Sequence, residues 1–175
     1  MAELILYEQT VALPIREFLL IEQCPEAWRV FDLYIVRDGE IAFYIGQSYQ
    51  AFDRVWHHIR DGHKARSVVG RFILRNWPSS LRYTVELRSS RAACFAALGH
   101  DLTAAENDLI GRLAPCFNRT ANAHPTPLPD RYAPPSGPIR CSRNLKHLIR
   151  EAGRARQAEQ RRQMLDEISA GSRLP

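Results

Sequence analysis
The alternation of apolar and polar positions changes period several times along the chain, and each change marks an element. The runs FDLYIV and IAFYIG are rich in β-branched and aromatic residues and flank the turn-forming RDGE, which predicts a β-hairpin over residues 31–46. The period then lengthens. Phe52, Val55 and Ile59, flanked by Ala51 and Trp56, make the apolar stripe of a helix from about Tyr49 to Arg60, with Ser48 as its N-cap and Asp61-Gly62 as its stop. A second helix covers ARSVVGRFILRNW and ends before Pro78. LRYTVELRS, residues 81–89, alternates as a third strand, with Tyr83 and Val85 on one face and Thr84 and Glu86 on the other. RAACFAAL reads as a short helix ended by Gly99, and a further helix runs from about Thr103 to Leu113, ended by Pro115. These elements predict an α+β fold: a small three-stranded sheet, the hairpin plus one strand, flanked by helices over residues 31–120.

The two ends follow different rules. Residues 1–30 are mixed, and AELILYEQTVAL suits either a strand or a short helix, so they read as an N-terminal extension packed on the main domain. Residues 124–138 hold six of the eleven prolines, which makes 121–140 a stiff, extended linker with no core of its own. Residues 141–175 are built of good helix formers, with Leu145, Leu148 and Ile149 early and Met164, Leu165 and Ile168 late, and predict a tail of one or two helices with a basic middle.

Composition narrows the class. Apolar content of 45% and charged content of 25% suit a globular domain, and no apolar run reaches the length of a membrane span. The N-terminus lacks the basic start and unbroken apolar core of a signal peptide, so the expected location is the cytoplasm. Cys24, Cys94, Cys116 and Cys141 have no paired spacing and read as reduced thiols. Net charge is +5, and its placement says more than its size: residues 54–75 hold six Lys/Arg against Asp61 alone, and residues 142–175 hold eight against four acids. Two basic segments on an otherwise acidic body point either to a polyanion, nucleic acid first, contacted by Lys64, Arg66, Arg71, Arg75, Arg143, Lys146 and Arg150, or to basic helical faces that are only solvated.

The hairpin carries one tyrosine on each arm, Tyr34 and Tyr44, and the next helix carries Arg54 and His58 on successive turns. Tyr34, then Tyr44-Ile45-Gly46, Arg54 ten residues after Tyr44, His58 four further on, and Glu106 followed after twelve by Asn118 form an ordered set. That set resembles the GIY-YIG nuclease superfamily, which includes the catalytic domains of phage homing endonucleases and of the bacterial excision-repair incision subunit. The resemblance covers residues 31–119. It departs from the family at Asp32-Leu33, where Gly-Ile is usual, and at Gln47, where the repair enzymes carry lysine; His63 is the candidate for the family's further basic residue.

The resemblance implies a metal-dependent endonuclease with a single Mg²⁺ or Mn²⁺ held by Glu106, and Tyr34, Tyr44, Arg54, His58 and Asn118 as the other site residues. The residue chemistry suits those roles. Arg54 offers a permanent, forked cation to a phosphate. A hard cation takes carboxylate oxygen and keeps its waters. Tyr34 or Tyr44 would orient or deprotonate the attacking water if a nearby cation lowers its pKa from about 10. His58 would relay a proton or contact phosphate, and Asn118 would fix a loop or lie near the metal. A rival account of Glu106 is the capping box Thr103-Ala-Ala-Glu106. His57, His58 and His63 have the wrong spacing for a zinc site. If Asp38-Gly39 made a two-residue turn, the tyrosines would face opposite sides of the sheet, so a shared site demands an odd loop, such as Arg37-Asp38-Gly39, or a bulge. The competing functions are a binding module of the same fold without turnover, and a subunit whose tail leucines grip a protein partner.

Overall fold
The computed structural model describes residues 8–64 and 66–171. The chain is a mixed α+β fold around an antiparallel sheet of four strands, in the order β1-β4-β2-β3. Strand β2 (Leu33–Asp38) and β3 (Ile41–Gln47) form the expected hairpin, and β4 (Thr84–Arg88) pairs with the other edge of β2. The fourth strand corrects the three-strand expectation. Val11–Pro14, β1, pairs antiparallel with β4, so part of the N-terminal segment belongs to the sheet and is not a mere extension. The predicted start of that segment, residues 1–7, lies outside the described residues.

Both faces of the sheet are covered. On one side Tyr34, Val36, Phe43, Tyr83, Val85 and Leu87 meet α1 (Ile15–Phe18), α2 (Ala51–Arg60), α3 (Val68–Arg75) and the first half of α5 (Leu145–Gly171). On the other side Leu33, Ile35, Ala42 and Ile45 meet Ala92, Phe95 and the face of α4 (Leu102–Leu113) that carries Ala105, Leu109 and Ile110. The stripe Phe52, Val55, Ile59 is buried as expected, because it is the face of α2 that meets the sheet. The cap differs: Gln50 takes the N-cap position of α2, while Ser48 Oγ accepts a hydrogen bond from Gln50 N–H at 3.2 Å.

The hairpin answers the question of the two tyrosines. Asp38 pairs with Ile41 and Arg37 with Ala42, so the connection is two residues, Gly39-Glu40, with Gly39 at φ +59°. A loop of three residues does not form. Instead the register shifts between Val36 and Arg37: Val36 pairs with Tyr44 and leaves Phe43 as the extra residue of a bulge. Phe43 and Tyr44 therefore both turn toward the α2/α3 face, and Tyr44 joins the side occupied by Tyr34.

Residues 121–144 do not form a free linker. Tyr132 is buried against Phe43, Phe72 and Tyr83, and its hydroxyl donates to Asp38 at 2.9 Å. Arg71 donates to the carbonyls of Pro135 and Gly137, and Arg75 to those of Pro134 and Pro138. The proline-rich stretch is a strap across α3. Its carbonyls lack helix or sheet partners and take them from these arginines. The tail is one helix, α5, anchored by Leu148 and Ala152, whose residues 160–170 are exposed on every side.

Candidate active site
The site is assembled by four elements. Strands β2 and β3 present Tyr34 and Tyr44, whose ring centroids lie 6.1 Å apart. Helix α2 presents Arg54, which is exposed, and His58, which is 8% exposed and 5.6 and 5.9 Å, ring to ring, from Tyr34 and Tyr44. Helix α4 presents Glu106, half-buried, at a groove of about 650 Å³ that Tyr44, Asn118, Val68 and Pro135 also line. Gly46 makes the arrangement possible, since a Cβ there would stand 2.3 Å from the Tyr34 hydroxyl.

Tyr34 Oη and His58 Nε2 are 2.7 Å apart, and His58 Nδ1 and Ser67 Oγ are also 2.7 Å apart. Ser67 is the N-cap of α3 and accepts from Gly70 N–H at 2.9 Å. A hydrogen-bonded chain thus runs from Tyr34 into the interior. Ser67 is the residue that the sequence reading misses. Its signal was a serine just ahead of an apolar helix with glycine at its third position, Gly70.

Charge within the site is governed by burial. Burial first, then Arg54 and His57, lower the His58 pKa to about 4, so the imidazole is neutral at neutral pH. Burial pushes Tyr34 well up, and the charge of Tyr44 adds to this, against a hydrogen bond and the positive charge of Arg54. Burial and Glu106 raise Tyr44, while Arg54 and a hydrogen bond from Tyr34 oppose the rise. Burial likewise raises the Glu106 carboxyl, offset only by hydrogen bonds with Gln47. No ion pair engages Glu106 among the described residues, so a partly desolvated carboxylate faces the groove without a countercharge.

The predicted set is brought together, but several members do other work. Asn118 closes the free edge of β3. Its Oδ1 accepts from Ile45 N–H at 2.9 Å and its Nδ2 donates to Ile45 C=O at 2.8 Å, which holds the peptide between Tyr44 and Gly46. His58 is buried behind the tyrosines and is positioned to support them, not to touch phosphate directly. The capping-box account of Glu106 does not hold: Asp101 caps α4, accepting from Ala104 N–H at 2.7 Å, and Thr103 Oγ1 accepts from Gln47 Nε2. His63 stays apart, its Nδ1 buried without a hydrogen-bond partner among the described residues. Of the predicted nucleic-acid contacts, Arg71 and Arg75 are occupied by the strap and Lys64 pairs with Asp61 at 3.1 Å, whereas Arg66, Arg143, Lys146 and Arg150 are exposed.

Comparison with family models, curated proteins and solved structures finds no match to this chain.

Proposed function
We propose that the chain is a metal-dependent endonuclease of the GIY-YIG type, hydrolysing DNA phosphodiester bonds with a single divalent ion. The observation that carries this reading is convergence. The rings of Tyr34, Tyr44 and His58 lie within about 6 Å of one another, Tyr44 and Glu106 line one groove although 62 positions apart, and Arg54 stands one turn before His58 on α2. Phosphodiester hydrolysis needs a cation for the phosphoryl oxygens, a group that orients or deprotonates water, and help for the leaving oxygen. The exposed guanidinium of Arg54 meets the first need. The Tyr34 and Tyr44 hydroxyls meet the second, with His58 as the neutral partner that holds Tyr34 in place. Glu106 fits a hard divalent ion, being a carboxylate that lacks a countercharge and opens on a groove wide enough for the ion's waters. Bound there, Mg²⁺ or Mn²⁺ would supply Lewis acidity toward a phosphate oxygen and lower the pKa of nearby groups.

One observation favours a second reading, a nucleic-acid-binding module without turnover: burial holds both tyrosines protonated, and Gln47 stands in place of a cation. Plasmid cleavage separates the two. Purified protein with Mg²⁺ or Mn²⁺ is expected to cut, and Arg54→Ala and Glu106→Ala are each expected to lose at least about a hundredfold in rate. Equal background cutting by all three proteins removes the nuclease reading. Retention of DNA without cutting establishes the module.

A further inference from the structure
The inner end of the hydrogen-bonded chain has a direction. Among the described residues, the hydrogen-bond partners of Ser67 Oγ are Gly70 N–H, which donates to it, and His58 Nδ1. Ser67 is 8% exposed, so its own proton is shielded from water. A buried hydroxyl proton without an acceptor is costly, and Nδ1, 2.7 Å away, is the acceptor in reach. A nitrogen that accepts carries no proton, so the neutral imidazole bears its hydrogen on Nε2. The amino end of α3 favours the same form, because its partial positive charge opposes an N–H aimed at it. Gly70 brings that end close: a Cβ at this position would lie 2.0 Å from the His58 carbonyl oxygen and 2.8 Å from Ser67 Oγ.

We propose that Ser67 is a positioning residue that holds His58 as its Nε2–H tautomer, so that hydrogen bonds run outward from Ser67 to His58 and on to Tyr34. Tyr34 Oη, 2.7 Å from Nε2, then receives a hydrogen bond from His58. The catalytic consequence rests on the nuclease reading. There the neutral His58 ring holds the Tyr34 hydroxyl in place as an acceptor, so Tyr34 is positioned at the site and passes no proton inward to His58.

The test is ¹⁵N-edited NMR of the histidine ring nitrogens on the full chain, without DNA or metal, with His58→Gln identifying the His58 signals. Wild type is expected to show the Nε2–H tautomer. Ser67→Thr keeps it. Ser67→Asp retains an acceptor for the helix cap but presents no proton, so the His58 signals shift to a ring protonated at Nδ1. A wild-type His58 already protonated at Nδ1, or a Ser67→Asp spectrum identical to wild type, overturns the proposal. Because no substrate is present, failure of the nuclease reading leaves this result standing. Where plasmid cutting is observed, Ser67→Asp is expected to lower single-turnover cleavage about tenfold or more at unchanged DNA affinity, and Ser67→Thr to restore it.

Discussion
At the scale of single residues, the site depends on close approach and on a neutral imidazole. Gly46 ends the run Tyr44-Ile45-Gly46, and its role is spatial: the Tyr34 ring lies where a β-carbon would be. Gly46→Ala should cost about 1–3 kcal/mol in urea unfolding, because Tyr34 is 2% exposed and has nowhere to relax. An unchanged midpoint would mean that the ring moves freely. His58 gives a second prediction. Its pKa is lowered from an ordinary 6.5 to about 4 in the folded state, so between those values the unfolded chain binds a proton that the native chain refuses. Stability is therefore full above pH 6.5 and declines as pH falls toward 4, by up to about 3 kcal/mol. His58→Gln should flatten that part of the stability–pH curve. Equal acid slopes in both proteins would show that His58 does not titrate in this way.

At the scale of elements, what was legible in the sequence is what local periodicity encodes. The hairpin, α2, α3 and α4 follow from alternation, apolar stripes and stop signals, each decided within about ten residues. The need for a bulge also followed locally, from pleat parity between Tyr34 and Tyr44. Non-local features were hidden. β1 is only four residues long and forms because β4 leaves an edge open to it. Ser67 joins the site only through the packing of α3 against α2. Prolines 125–138 spell an extended chain, but not that Arg71 and Arg75 grip it. That strap carries its own prediction. Arg71→Ala with Arg75→Ala should destabilise the fold by about 1 kcal/mol per lost arginine and speed proteolysis within residues 133–140. Unchanged cleavage kinetics would leave the tyrosine anchor at 132 as the strap's main fastening.

At the scale of the molecule, the structure redistributes the charge counted along the sequence. The segment 54–75 looked like a basic face, yet two of its arginines are turned onto the strap and Lys64 onto Asp61. The second segment is different. Leu148 and Ala152 pin the first half of α5 to the core, which leaves Arg143, Lys146 and Arg150 in solvent. Counterion release ties each phosphate contact to about 0.9 in the slope of log affinity against log salt. If those three residues contact duplex backbone, replacing all of them with alanine should reduce the slope by roughly 2–3, measured by fluorescence anisotropy across a salt series. Arg71→Ala with Arg75→Ala should leave the slope unchanged, because those guanidiniums are already spent on carbonyls. The opposite pattern, a slope insensitive to the tail and sensitive to α3, would place the polyanion on the strap side and require the strap to lift when DNA binds.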